Sequence, residues 1–449
     1  MPTHPVQELI RYGKMLDRSS RWRSLPGRTY GRAVALVAIA ILIAMAAWGA
    51  VTRRQLVEWR QQIRRALFIP ETLPTLQPKL YGSFSPLPGV IAERVTYGTE
   101  YGLRIPAIVY RPSSSAGKIP GIVVVNGHGA DKSSWYSWYT GILYARAGAA
   151  VLTYDPIGEG ERNDSHEDAT GEHDTVIDVP GVPQRMGGLM VTDVMQGVSY
   201  LRSLPQVDSQ RIAVLGFSMG SFISSIAGAV DDRVHALLLT GGGDLDGPGG
   251  YWDSSAKVMC QAGPYRALEF LGDRPAAIFT LNARRGPTFI LNGSDDTVVA
   301  IPQHGPAFFE DLHRRVVAMN GSTQDVFETY FDPGASHRPA WVLEIAAEWL
   351  ENTLHFSKWS DTEVKTLPVI KIGTWAAENG VHLTPGEMQD NRDSGLEAID
   401  VQVPKLTPEQ LSVLPRAEWM KRRSEFVYST WAKDATAEAR KATPTEATR

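Results

Sequence analysis

A serine hydroxyl is a weak nucleophile, and it reacts only when it stands clear of the chain and has a base beside it. Ile212-Ala-Val-Leu-Gly216-Phe217-Ser218-Met219-Gly220 supplies the first condition. An apolar, strand-like run enters a Gly-x-Ser-x-Gly turn, and a helix rich in small residues follows. Such a turn is tight enough to admit only glycine on either side, and it lifts the serine above a helix N-terminus that favours negative charge. With 41 glycines in the chain, the five-residue pattern alone could arise by accident. The strand before it and the helix after it make Ser218 the candidate nucleophile.

The base and its orienting carboxylate should follow later in the chain, in the order Ser, acid, His. After the strand-like run Thr288–Asn292 comes Gly293-Ser294-Asp295-Asp296, followed by two valines at 298 and 299. The spacing selects Asp296 as the acid and leaves Asp295 as a turn or cap residue. After Val326–Phe331 comes Asp332-Pro-Gly-Ala-Ser-His337, and a histidine on that loop is placed to be the base. His304, His313 and His355 fall in helical stretches, where solvated or packing roles suit them.

An acyl-transfer site also needs backbone donors for a developing oxyanion. The N–H of Met219 is one candidate. The loop Asn126-Gly127-His128-Gly129 offers the other, assigned to the N–H of His128, with no catalytic role for its ring. The segment Asp155-Pro-Ile-Gly-Glu-Gly-Glu161-Arg162 reads as a turn fixed by Pro156, Gly158 and Gly160, with Glu161 and Arg162 paired. Asp164, His166, Glu167 and His173 are irregularly spaced, so neither a metal nor a cofactor is expected. Cys260 is the one cysteine, which excludes an intrachain disulfide and reads as a small buried hydrophobe.

These residues must be positioned by alternating elements. Ile105–Tyr110, Ile122–Val125, Ala150–Tyr154, Ile212–Gly216, Val234–Thr240, Thr288–Asn292 and Val326–Phe331 read as strands. Trp135–Ala147, Met190–Leu204, Met219–Val230 and Ala340–Leu354 read as helices. That alternation predicts a mostly parallel sheet covered on both faces. The catalytic domain is placed at 90–356. An insertion at 241–286 opens with glycines and carries aromatic residues. Flat aromatic faces suit sugar rings or aromatic acids, and Tyr251 and Trp252 are the candidate pocket walls. The remainder, 357–449, reads as a polar extension with a disordered end.

Upstream, Ala33–Val51 runs for 19 residues without a charge, nearly enough to cross a hydrocarbon core of about 30 Å as a helix. It follows a basic tail at 1–32 and precedes a stalk and proline-rich linker at 52–89. This is expected to be a single-pass transmembrane anchor in the cytoplasmic membrane with the catalytic domain outside, a secreted form after cleavage being the alternative. A net charge of −4 and a charged fraction of 21% give no reason to expect nucleic acid as a partner.

In this order, NGHG, DPIGEGER, GFSMG, NGSDD and GASHRP resemble the bacterial acetyl xylan esterase-like branch of the α/β hydrolases, near the dienelactone-hydrolase group. The resemblance spans roughly residues 60–430. It implies an α/β-hydrolase fold, here preceded by a transmembrane helix. It also implies a carboxylic ester hydrolase acting through Ser218, Asp296 and His337, often on esterified carbohydrate. The uncharged segment departs from a freely secreted esterase. An amidase or peptidase on the same triad, or a non-catalytic envelope protein keeping the fold, are the alternatives.

Overall fold

The structure is a computed structural model, and it describes residues 50–167, 170–324, 326–383 and 395–442. Tail 1–32 lies outside the described residues, as does the expected membrane segment save for residues 50 and 51. Among the described residues no helix is long and apolar enough to cross a membrane.

From Val51 onward the chain forms one unit around a nine-stranded sheet. The strands are β1 (Lys79–Phe84), β2 (Val90–Gly98), β3 (Arg104–Pro112), β4 (Ile119–Val125), β5 (Ala150–Tyr154), β6 (Val207–Phe217), β7 (Ala236–Thr240), β8 (Thr288–Gly293) and β9 (Glu328–Asp332). Their order across the sheet is β1-β2-β3-β5-β4-β6-β7-β8-β9. The first three strands are antiparallel, and β3 joins β5 antiparallel. The six strands from β5 to β9 run parallel. Eight helices matter here: α1 (Arg53–Ala66), α2 (Trp135–Ala147), α3 (Val182–Ser203), α4 (Met219–Val230), α5 (Arg274–Ala283), α6 (Ile301–Asn320), α7 (Glu344–Leu354) and α8 (Tyr428–Ala442).

The continuous apolar run in β4 follows from burial on both faces. Val123 and Val125 join one core with α3, α4 and α5, while Ile122 and Val124 join a second core with α2 and α7. The same two-residue alternation divides β6, where Val214 faces the first core and Ala213 and Leu215 the second.

Several expected boundaries move. Helix α3 starts at Val182, eight residues before the expected Met190. Pro183 sits in its first turn, where a missing N–H does no harm. Gly187 and Gly188 weaken helix propensity but are demanded by contact, since a Cβ on Gly188 would lie 1.8 Å from the Leu67 carbonyl oxygen. The expected closing helix Ala340–Leu354 is a short turn at Ala340–Val342 followed by α7.

The expected stalk is helical but is not free of the body. Leu56, Trp59 and Ile63 share one face and are buried in the first core. Arg60 and Arg64 donate to the carbonyls of Ala229 and Val230 at the end of α4. The proline-rich linker supplies β1, so the sheet begins at Lys79 and not at 90. The extension after 357 also packs on the body: Trp375 and Trp419 are buried in the second core, and Tyr428 and Trp431 of α8 in the first. Helix α8 carries order through Ala442, where a disordered end is expected, and 443–449 lie outside the described residues.

If α1 is part of the folded body, Ile63→Ala should lower unfolding free energy by about 2–5 kcal/mol, the range for emptying a fully buried aliphatic site. Denaturant titration measures it, and a change under about 0.5 kcal/mol would return the segment to a solvated stalk.

Candidate active site

Four loops at the carboxyl ends of parallel strands meet at one place, following β4, β6, β8 and β9. In an open α/β sheet this is the edge where ligands bind. Ser218 sits between β6 and α4 with φ 55° and ψ −119°, a conformation that L residues adopt only when their surroundings hold them. Its N–H donates to Thr240 O at 2.9 Å, and its carbonyl accepts from Ser221 N at 2.9 Å. The flanking glycines are there for closeness. A Cβ on Gly216 would lie 2.5 Å from Gly220 O, and one on Gly220 would lie 2.2 Å from Val125 O.

His337 Nε2 is 2.9 Å from Ser218 Oγ, and its Nδ1 is 2.7 Å from Asp296 Oδ2. Asp296 is completely buried, and its Oδ1 accepts the N–H groups of Val298 and Val299 at 3.0 and 3.3 Å. A carboxylate so held can only accept, which puts the Nδ1 proton of His337 on the Asp296 side and leaves Nε2 free to face the serine hydroxyl. Asp295 turns away and accepts from the Ser294 hydroxyl at an exposed position. The structure therefore brings Ser218, His337 and Asp296 together and leaves Asp295 outside.

The imidazole is wedged in place. Phe217 packs against it with ring centroids 4.8 Å apart. Gly241 has φ +56°, and a Cβ there would lie 2.8 Å from both the His337 ring and Phe217. The turn beginning at Gly241 is held by Asn292, whose amide accepts from Gly242 N at 3.0 Å and donates to Gly242 O at 2.8 Å. Asn292 was not singled out from sequence. Its position as the last polar residue of a buried strand is the one signal that could have found it.

Met219 opens α4, where the first N–H groups lack intrahelical acceptors. The 126–129 loop lies against the serine: a Cβ on Gly127 would be 3.3 Å from Ser218 Cβ. That loop rests on a buried ionic cluster. Lys132 Nζ meets Asp155 Oδ2 at 2.5 Å and Glu161 Oε2 at 2.8 Å, and Lys132 N donates to Asp155 Oδ1 at 3.1 Å. Burial would raise the Glu161 carboxyl, but the Lys132 ammonium, together with the His166 ring and a hydrogen bond from the Val413 N–H, holds that group below its ordinary value. The expected pairing of Glu161 with Arg162 is replaced by this cluster, because Arg162 turns to Asp193 at 2.5 Å.

The two candidate pocket aromatics part company. Trp252 is wholly buried, stacked on Phe222 at 5.0 Å, with its indole N–H on Asp244. It belongs to the core and does not line a pocket. Tyr251 is half-buried. Burial, and then the carboxylates of Asp244, Asp296 and Asp246, push its phenol up to about 12.

Residues 72–240 match the family described as acetyl xylan esterase (AXE1). An uncharacterized protein of Pseudomonas aeruginosa is 27% identical over 148 residues, 32% of this chain and 35% of that protein. One from Mycobacterium tuberculosis is 26% identical over 269 residues, 60% of this chain and 79% of its own length. The chain thus spans about a third of the first relative and most of the second. Among solved structures, the methylesterase BT1017 is similar at a TM-score of 0.50 and 17% identity, covering 85% of this chain and 79% of that one.

Replacing Trp252 by Ala should act on stability, by about 3–5 kcal/mol as for a large buried aromatic. KM should shift equally for large and minimal esters. A selective rise in KM for the larger ester at unchanged Tm would restore Trp252 to the pocket wall. With the strand order and the turn at Ser218 taken together, the chain carries the α/β-hydrolase fold, and its residues 72–240 match the acetyl xylan esterase family model.

Proposed function

We propose that this protein is a serine-dependent carboxylic ester hydrolase that forms an acyl-enzyme, with acetylated or otherwise esterified carbohydrate as its substrate class. The observation that carries the reading is the run of two hydrogen bonds from Asp296 through His337 to Ser218. Ser218 Oγ attacks the ester carbonyl while His337 Nε2 takes the hydroxyl proton. The oxyanion is held by the N–H groups of Met219 and His128. Asp296 orients the imidazole and stabilises its charged form. The tetrahedral intermediate expels the alcohol, which leaves with the proton from His337. Water then attacks the acyl-enzyme with His337 as base and frees the acid and Ser218. The family match over 72–240 supports an ester bond and, more finely, an acetyl group on a sugar.

Ser218→Ala, His337→Ala and Asp296→Asn should each lower kcat by roughly 10⁴ or more on an aryl acetate, and the Ser218/His337 double variant should be little worse than either single one. Asp295→Asn should keep nearly full activity. A fluorophosphonate probe should label the wild-type chain and not Ser218→Ala. Full labelling without turnover of any ester, but with cleavage of amides, would move the reading to an amidase or peptidase. No labelling at all would leave a binding protein that retains the fold.

The membrane attachment belongs to the same proposal. The uncharged run 33–51 supports an anchor in the cytoplasmic membrane; arginines flank it equally on both sides, and Arg11 and Lys14 tip the balance towards an inner N-terminus with the hydrolase body on the outer side. Protease added to spheroplasts should digest the body. Protection until lysis would invert the topology or remove the anchor.

A further inference from the structure

Beside the oxyanion loop, four side chains from three separate segments converge. His128 lies on the loop after β4, His173 and Asp174 on the short turn Glu172–Asp174, and Cys260 on the helical turn Val258–Ala262. One ligand-type atom from each lies within 4.8 Å of every other. His173 and Cys260 are wholly buried. The His128 and His173 rings meet edge to face at 4.8 Å.

His173 is the informative member. Its Nδ1 is 2.9 Å from the carbonyl oxygen of Ile157. A carbonyl can only accept, so Nδ1 carries the proton and Nε2 presents a bare lone pair. That Nε2 is buried and has no hydrogen-bond partner among the described residues. An unpaired buried acceptor is destabilising by itself. A backbone carbonyl fixing one ring nitrogen while the other stays free is how histidines are prepared to bind a metal. Asp174 is prepared as well: Oδ1 is 2.7 Å from His128 Nε2, while Oδ2 is taken by Lys257.

We propose that His128, His173, Asp174 and Cys260 form a binding site for one divalent metal ion of the zinc class. Two imidazoles, a thiolate and a carboxylate are a borderline-soft set suited to tetrahedral Zn²⁺. Zinc bonds of about 2.0–2.3 Å put tetrahedral ligand atoms roughly 3.3–3.8 Å apart, so the cluster must close by about 1 Å at its widest. On binding, the Cys260 thiol releases its proton to solvent. His128 Nε2 and Asp174 Oδ1 turn from each other to the ion, with the His128 proton on Nδ1, and Lys257 keeps Oδ2. Four protein ligands leave no open position, so the ion clamps structure and does not activate water. It would pin the loop that carries the His128 N–H to the turns at 172–174 and 258–262. The site stands on its own geometry, and only this consequence for catalysis rests on the reading of Ser218.

The test is a Co²⁺ titration of the full-length chain in detergent after chelator treatment, read by absorption. One equivalent should give tetrahedral d–d bands and a thiolate-to-cobalt charge-transfer band. Cys260 is the chain's one cysteine, so that band can come from no other residue. Cys260→Ser should abolish the band. His173→Gln should weaken Co²⁺ binding by more than the 10–100-fold typical of losing an outer-shell partner. Ser218→Ala should titrate like wild type, so a failure of the hydrolase reading would leave this result intact. Binding without a thiolate band, or no binding by wild-type chain whose circular dichroism shows it folded, would overturn the proposal. If Cys260→Ser does not fold, the wild-type band alone decides.

Discussion

A serine held at φ 55° and ψ −119° costs on the order of 1–3 kcal/mol of backbone strain, and the surrounding packing has to supply that energy. The supply is local and tightly specified. The Ser218 N–H is tied across to Thr240 on β7, and its carbonyl caps the first turn of α4. Gly220 brings α4 to within contact of the Val125 and Asn126 carbonyls at the end of β4. The turn therefore fixes three strands and one helix relative to each other. Because β8 and β9 continue the same parallel sheet, their loops deliver Asp296 and His337 to the same edge. A side chain at 216 or 220 would push these elements apart, and the damage would reach the triad before it reached the core.

A second constraint holds the other wall of the site. Lys132, Asp155 and Glu161 are buried, and the one ammonium pairs with both carboxyl groups. Taking Lys132 away would strand both carboxyl groups, and breaking a buried pair in this way costs about 3–5 kcal/mol. The cluster reaches both ways. Lys132 anchors the loop beside Ser218. Glu161 accepts the N–H groups of Val413 and Leu414, and its carbonyl takes the Trp419 indole N–H. Residues 413–419 are thereby fastened to the cluster, so they behave as part of the hydrolase body.

What was legible in the sequence was the chemistry that only a few residue types can perform. Gly-x-Ser-x-Gly after an apolar run, a carboxylate after one strand and a histidine after the next picked out Ser218, Asp296 and His337, which the structure brings within hydrogen-bond distance. The spacing chose Asp296 over Asp295, and the structure separates the two in that way. Strand and helix alternation gave the parallel half of the sheet because its strands, apart from the exposed edge strand β9, carry runs buried on both faces. The failures share one physical cause: long-range packing overrode local pattern. Gly187 and Gly188 hid the start of α3, since their value lies in touching Pro264 and Leu67. Arginines on α1 made it look solvated, although two of them bond to the end of α4. The four residues His128, His173, Asp174 and Cys260 form no spacing pattern in the sequence, because three separate segments bring them together.

The aromatic pair at 251 and 252 shows the same limit at the scale of one peptide bond. Neighbouring residues in a turn point in different directions, so at most one of two adjacent rings can face a ligand while the other packs inward. Composition does not say which. The choice is made by Phe222, whose ring offers Trp252 a stacked partner inside the core, and by Asp244, which is buried and accepts the indole N–H. A tryptophan with its one polar atom satisfied and its face covered has no reason to stay at the surface. Tyr251 is then left above it, edge to face at 5.1 Å, on the side where Asp296 is felt. Its orientation rests on the buried Trp252, so the less buried member of the pair is set from behind by the core.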